Sequence, residues 1–208
     1  MKLFTRAEKA FIDALYTLLQ NEHINRVHVT EILELSGYTK GAFYGRFENK
    51  YDFVEKLIEK TRKMHNYFLD RCGNMMWQGK EVYDPESMKN SEDFFKFVYD
   101  YHKLYDMIID RKLRQDSLEL FLFGADSPYP LVSPVKIADI DMAEEMMNTY
   151  FGYYNSIVYI MLWRSIGYDN ISPENMSRLI LPVQKSVHNH FLDNKLMDVY
   201  HKAQESKR

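Results

Sequence analysis

This chain has little cysteine, no long apolar run and no net positive charge. Cys72 is the only cysteine, so no disulfide can form within one chain. The longest apolar run, residues 157–163, has seven residues, whereas a membrane span needs about 20. The N-terminal segment is charged where a signal peptide would be apolar. We therefore expect a cytoplasmic protein without a membrane segment.

Recognisable catalytic and cofactor motifs are also lacking. The sequence has no phosphate-binding glycine loop, no nucleophile elbow and no zinc-protease helix motif. His188 and His190 lie two positions apart, and such a pair on a helix points in different directions. We therefore expect no enzyme activity, no cofactor and no metal. A small-molecule-binding or catalytic helical bundle stays a weaker alternative.

The chain nevertheless has the composition of a folded protein. Of its 208 residues, 46% are apolar, which is enough for a sizeable core. Most apolar residues recur at helical spacing, so the sequence predicts an all-α fold. Net charge is −3 overall, and residues 1–63 hold eleven Lys and Arg against nine Asp and Glu. This mild excess does not by itself indicate nucleic-acid binding.

Residues 29–50 are typical of a helix-turn-helix. Thr30 is the expected N-cap of one helix, Gly37 stops it, and Thr39 caps a second helix running to about Phe47. Three residues separate the helices, a turn length that fixes them at a steep angle. A short helix of this kind can enter a major groove. The side chains expected on or near its outer face are Lys40, Gly41, Tyr44 and Arg46.

The same stretch resembles the DNA-binding signature of the TetR/AcrR-type transcriptional regulators. The pattern Gly-x-x-Lys-Gly-x-x-Tyr-x-x-Phe-x-Asn-Lys occurs from Gly37 to Lys50. The resemblance implies that Thr30, Tyr44 and Lys50 contact phosphates. It also implies that Thr39, Lys40 and Gly41 lie at the groove end of the recognition helix. We expect Lys40 and Arg46 to contribute the base contacts.

The sequence departs from that pattern at two positions. Family members often carry a long polar residue where this chain has Gly45, and Ser or Thr where it has Ala42. Glycine inside a helix costs about 0.5 to 1 kcal/mol relative to alanine. The sequence therefore predicts a recognition helix that is loose until DNA orders it.

Two regions are expected along the chain. Residues 1–48 form the predicted three-helix DNA-binding domain, whose first helix begins with a capping box at Thr5 and Glu8. Residues 49–208 form a predicted helical domain for ligand binding and dimerisation. Its expected helices span residues 51–69, 91–108, 111–123, 150–163 and 173–191. Residues 73–90 are expected to be an irregular connection, with room for a short helix.

Aromatic residues are abundant, with 16 Tyr and 13 Phe, and either a pocket or an ordinary core could explain them. The family resemblance favours a small-molecule site and a dimer formed by the last two helices. The candidate ligand-binding residues are Tyr101, His102, Tyr105, Phe121, Tyr150, Tyr153, Tyr154 and Asn155. The candidate dimer residues are Tyr159, Trp163, Leu179, Val183, Val187 and Phe191.

The function that these patterns favour is a ligand-responsive transcriptional repressor. A homodimer would bind a near-palindromic double-stranded DNA operator and would be released by a small apolar or aromatic effector. The alternative is a protein-interaction module whose helix-turn-helix has lost DNA binding. Gly45 and the weak local charge favour this alternative.

Overall fold

The computed structural model of the protein describes residues 3–77, 81–123 and 155–193, and all regular secondary structure within these ranges is helical. This confirms the all-α class. No helix in these ranges is both long and apolar enough to cross a membrane. The helices are α1 (Arg6–Leu18), α2 (Val29–Ser36), α3 (Lys40–Tyr44), α4 (Lys50–Trp77), α5 (Pro85–Asp100), α6 (His102–Ile109), α7 (Ser117–Phe123), α8 (155–166) and α9 (Pro173–Asp193).

The described residues group into two compact units. Unit 1 contains residues 3–67 and 100–123, and unit 2 contains residues 68–77, 81–99 and 155–193. Helix α4 contributes residues to both units. The helix-turn-helix lies wholly within unit 1, and the predicted domain boundary at residue 48 stays a prediction.

Helix α1 begins at the predicted capping box. Thr5 Oγ1 accepts the Glu8 N–H at 3.2 Å, and Glu8 Oε2 accepts the Thr5 N–H at 2.8 Å. The second carboxylate oxygen of Glu8 lies 2.6 Å from Lys60 Nζ. Burial works against the charged form of Glu8, but the hydrogen bonds from Lys60 and Thr5 outweigh it and lower its pKa. One buried carboxylate thus caps α1 and ties it to α4.

Four phenylalanines join α1, α3 and α4 into one core. Phe43 lies 5.4 Å from Phe11 and 5.5 Å from Phe53 between ring centroids, both edge to face. Phe47 lies 4.7 Å from Phe53 and 5.2 Å from Phe43. Such pairs contribute about 0.5 to 1.5 kcal/mol each beyond burial. Because α3 has only five residues, these contacts, and not its own helical propensity, hold it in place.

Two boundaries in the helix-turn-helix differ from the prediction. The N-cap of α2 is His28 and not Thr30, because the Glu31 carboxylate accepts the His28 backbone N–H at 2.6 Å. Thr30 is instead an exposed residue within the first turn of α2. Helix α3 ends at Tyr44 with Gly45 as its C-cap, so it does not continue to Phe47.

The segment expected to be irregular is mostly helical. Helix α4 continues to Trp77, and α5 begins at Pro85 and not near Ser91. Proline suits the first position of a helix because the missing N–H would be unpaired there anyway. The Asp84 carboxylate accepts the Glu86 N–H at 2.9 Å. Ser91, followed by Glu92 and Asp93, also fits a helix start, so local sequence alone does not single out Pro85.

The expected helix at 91–108 is broken at Tyr101, which separates α5 from α6. The Tyr101 ring packs edge-on against Phe4 at 5.4 Å, and its hydroxyl accepts the Leu3 N–H at 3.1 Å. These contacts hold Tyr101 outside helical geometry. Helix α7 begins at Ser117 and not at residue 111, and Arg111 has a φ of 56°.

Unit 2 is centred on Trp163 of α8, whose side chain is fully buried. Its indole ring contacts Phe95 at 5.6 Å and Tyr168 at 5.5 Å. The indole N–H donates to the Ile171 carbonyl at 3.0 Å, so the polar atom is paired as burial requires. Helix α9 begins at Pro173 as predicted, and its Pro182 lies within the helix.

Candidate nucleic-acid interface

The turn between α2 and α3 depends on Gly37. This residue has a φ of +70°, a conformation that side chains other than glycine rarely adopt. Its N–H donates to the Leu33 carbonyl at 2.9 Å, which ends α2 in the predicted manner. Thr39 then caps α3, because its side chain accepts the Ala42 N–H at 3.4 Å.

The first turn of α3 is exposed and carries little side-chain bulk. Thr39, Lys40 and Gly41 are all exposed, and the side chain of Lys40 makes no hydrogen bond or ion pair with any described residue. A Cβ placed on Gly41 would meet nothing closer than Thr39 Oγ1 at 3.9 Å. The fold therefore does not require glycine at position 41, and the bare backbone is open to a partner.

Tyr44 is the large side chain on this surface. It is 52% exposed, with one side of its ring against Phe43 at a centroid distance of 5.4 Å. In the part of the chain that the structure describes, its hydroxyl has no hydrogen-bond partner. A tyrosine anchored by its ring and free at its hydroxyl can donate to a phosphate oxygen.

Gly45 has a different role from the one predicted. It is the C-cap of α3 and not an interior residue, and a Cβ there would lie 2.9 Å from the Gly41 carbonyl oxygen. Contacts that short require backbone movement, so a larger residue would distort the end of α3. The premise that Gly45 lies inside the recognition helix is therefore wrong, whereas the looseness of that helix before DNA binds stays a prediction.

Arg46 lies beyond the end of α3 and folds back on it. A guanidinium nitrogen donates to the Ala42 carbonyl at 2.7 Å, and Lys56 Nζ donates to the Arg46 carbonyl at 3.2 Å. Such bonds satisfy carbonyls that have no partner at a helix C-terminus. Arg46 remains exposed, and the bond to Ala42 uses one of the five N–H donors of its guanidinium.

The Asn-Lys pair at the start of α4 is structural in this chain. Asn49 Oδ1 accepts the N–H groups of Tyr51 at 2.8 Å and Asp52 at 3.1 Å, while the Asp52 carboxylate accepts the Glu48 N–H at 2.9 Å. Hydrogen bonds from Lys56 and Glu48 lower the pKa of Asp52. Lys50 Nζ donates to the carbonyls of Ile24, Asn25 and Val27 at 2.8, 3.0 and 2.8 Å.

The predicted DNA-binding residues thus fall into two groups. Thr39, Lys40, Gly41 and Tyr44 lie on the exposed face of α3, and Thr30 is exposed on α2. Arg46 and Lys50 instead hold backbone carbonyls. No feature of the sequence distinguishes these two groups, because both contain residue types that bind phosphates.

The structure describes five of the eight candidate ligand-binding residues, and three of these five are buried. Tyr105 and Phe121 are fully buried in unit 1, and their rings lie 5.6 Å apart. Tyr101 and His102 line an open cleft of about 170 Å³, which is smaller than typical ligand pockets of roughly 300 Å³ or more. Asn155 is half-buried and belongs to unit 2. Tyr150, Tyr153 and Tyr154 lie outside the described residues.

His65, which is not among the predicted site residues, is fully buried beside this aromatic pair. Its Nδ1 lies 2.9 Å from the Tyr105 hydroxyl, and its ring packs edge-on to Phe121 at 5.0 Å. Burial lowers the pKa of His65 to about 3. The available signal was its position four residues after Thr61, on the buried stripe of α4 that includes Leu57 and Phe68.

Exposed apolar side chains lie on both α8 and α9. Tyr159 and Trp163, two of the predicted dimer residues, are buried within unit 2, whereas Leu179 is 50% and Val183 46% exposed. The side chains of Val187 and Phe191 lie outside what the structure describes. The exposed apolar residues of the two helices are Val158, Met161, Leu162, Leu179 and Val183.

Part of the chain is similar to a protein described as a transcriptional regulator. Over 54 residues the chain is 44% identical to a Bacillus subtilis (strain 168) protein described as the uncharacterized HTH-type transcriptional regulator YwcC. The aligned segment is 26% of this chain and 24% of that protein, so the chain spans about a quarter of the relative's length. No family model matches the chain.

Proposed function

We propose that this protein is a DNA-binding transcriptional regulator of the TetR/AcrR type that acts as a homodimer and represses transcription. The observation that carries the proposal is the exposed face of α3. There Thr39, Lys40, Gly41 and Tyr44 are exposed, while Phe43 of the same helix is fully buried. The likeness to a protein described as an HTH-type transcriptional regulator supports the same function.

The geometry of α3 suits insertion into a major groove. On its exposed face, the first turn of α3 carries no large apolar side chain, so the backbone of Gly41 can approach the base edges. The Lys40 side chain can then reach a base or a phosphate. Tyr44 donates its hydroxyl to a phosphate and fixes the register of the helix on the duplex. The buried aromatic contacts of Phe43 keep this face in place before DNA arrives.

Dimerisation would use the exposed apolar residues of α8 and α9. Exposed apolar side chains favour burial against a partner. An isologous dimer places its two recognition helices about 34 to 36 Å apart, one turn of DNA, on a near-palindromic operator. A charged substitution at one of these exposed residues, Leu179→Glu, should therefore weaken self-association and operator binding together, as measured by sedimentation and DNA titration.

Ligand response would operate through α4, which contributes residues to both units. An effector that binds one conformer more tightly shifts the population toward it, by no more than its difference in affinity. A conformer with the wrong separation of recognition helices would release the operator. The protein would act by binding alone, without a cofactor and without catalysis.

The alternative of an interaction module with a decayed helix-turn-helix keeps one supporting feature. The charge of residues 1–63 is only mildly positive, with eleven Lys and Arg against nine Asp and Glu. The second feature, Gly45, no longer favours decay because the close approach to Gly41 requires glycine there.

The test is a mobility shift with DNA upstream of the protein's own gene, at two salt concentrations. Tight, salt-sensitive binding that is lost in Tyr44→Ala is expected. Lys40→Met should reduce the slope of log affinity against log salt by about one, because one phosphate neutralisation is lost. Binding by the wild type that is as weak as its binding to random DNA, and equal to that of Tyr44→Ala, would favour the decayed module.

A further inference from the structure

Lys50 is bound to the protein itself at all three of its ammonium hydrogens. Its Nζ donates to the carbonyl oxygens of Ile24 at 2.8 Å, Asn25 at 3.0 Å and Val27 at 2.8 Å. An ammonium group has three N–H donors and no acceptor. The side chain is half-buried, and its Nζ lies 5.0 Å from the centre of the Tyr51 ring. No donor is left for a phosphate oxygen while these bonds exist.

The three carbonyls belong to the turn between α1 and α2. No backbone N–H of the described residues donates to any of them, and Ile24 and Val27 are buried at 2% and 0% exposure. A buried carbonyl without a donor costs free energy. Lys50 therefore supplies the donors that this turn lacks, across 26 positions of sequence to Ile24.

We propose that Lys50 is a positioning residue: it fixes the α1–α2 turn through three carbonyl oxygens and so sets where α2 and α3 stand against DNA. It does not contact a phosphate. The inference about DNA rests on the proposed function, while the inference about the turn does not. Without the ammonium group, the turn is no longer held in one conformation. The N-cap of α2, His28, directly follows Val27, so the position of the first turn of α2 is no longer fixed.

The substitution Lys50→Arg distinguishes a positioning role of Lys50 from a phosphate contact. A guanidinium keeps the charge and binds phosphate at least as well as an ammonium, but its donors lie in a flat fork. Three carbonyls converging on one nitrogen suit a tetrahedral ammonium. Lys50→Arg should therefore preserve a phosphate contact but lose the hydrogen bonds to the three carbonyls of the turn.

The experiment compares Lys50→Arg with Lys63→Arg, an exposed lysine of α4 that pairs with Glu59. Hydrogen exchange of the peptide covering residues 20–33 is followed in the free protein, together with a second peptide from α9. Affinity for the DNA upstream of the gene is measured at two salt concentrations. For Lys50→Arg we expect faster exchange in residues 20–33 alone, about tenfold weaker binding and an unchanged salt slope.

Wild-type exchange in Lys50→Arg, or faster exchange with undiminished DNA affinity, would overturn the proposal. So would faster exchange in the α9 peptide, which would mean general destabilisation. Lys63→Arg should match the wild type in both measurements. If the wild type itself fails to bind DNA, the proposed function fails, while the exchange result still decides whether Lys50 holds the turn.

Discussion

Two regions of unit 1 use their aromatic and polar residues in opposite ways. In the helix-turn-helix, Phe43 is buried while its neighbour Tyr44 is 52% exposed, so one short helix has an inner and an outer face. In the cluster formed by His65, Tyr105 and Phe121, every side chain is fully buried, and the polar atoms of His65 and Tyr105 face each other. The first region exposes side chains to a partner, and the second buries all of its side chains in the core.

The comparison shows that abundance of aromatic residues does not by itself indicate a ligand site. Tyr105 and Phe121 fit the pattern expected of a pocket, yet both are packed into the core. Lys40 and Gly41 have no role that the fold explains, and they lie on the surface proposed to meet DNA. The residues that the fold does not need are therefore better indicators of function here.

The largest effect should come from the inner face of α3. Phe43→Ala should lower the free energy of unfolding by about 3 to 5 kcal/mol, since it removes a ring packed against four others. Tyr44→Ala, one position away, should cost less than about 1 kcal/mol yet abolish specific DNA binding. Urea unfolding and DNA titration measure the two effects. Equal losses of stability in both variants would mean that α3 has no distinct outer face.

The buried cluster should be sensitive to pH. The pKa of His65 is about 3 in the fold against about 6.5 in an unfolded chain. Between these values the unfolded state binds the extra proton, so stability falls as pH is lowered below 6.5. From pH 7 to pH 5 the loss should be about 2 kcal/mol. His65→Gln should remove that part of the pH dependence in urea unfolding, and an unchanged dependence would contradict the burial of a neutral imidazole.

The smallest effects should come from the two glycines of α3, and they should differ in sign. Gly45→Ala should destabilise by about 1 kcal/mol because its methyl group would press on the Gly41 carbonyl. Gly41→Ala should stabilise by about 0.4 to 1 kcal/mol because the position is helical and unobstructed. The same Gly41 methyl should weaken DNA binding by occupying the outer face. A Gly41→Ala protein that binds DNA like the wild type would remove Gly41 from the interface.

The sequence was informative where a local rule applies. The capping box at Thr5 and Glu8, the left-handed Gly37, the Thr39 cap and the start of α9 at Pro173 were all predicted, because each depends on neighbours within four residues. The all-α class followed from apolar spacing over longer segments. Local patterns thus predicted the helix-turn-helix well.

The structural features that the sequence did not predict depend on contacts between residues far apart in the chain. The three carbonyls bound by Lys50 lie 23 to 26 residues away, and His65 and Tyr105 are 40 residues apart. The break at Tyr101 arises from Leu3 and Phe4, nearly a hundred positions earlier. Nothing in the spacing of a single sequence reveals such pairs.

The measurement that tests the central claim most directly is selection of bound duplexes from a random pool, with the wild type and Tyr44→Ala in parallel. The account predicts enrichment, by the wild type alone, of a near-palindromic site whose half-sites lie about one DNA turn apart. Equal and unspecific recovery by both proteins would contradict the claim that the exposed face of α3 reads DNA.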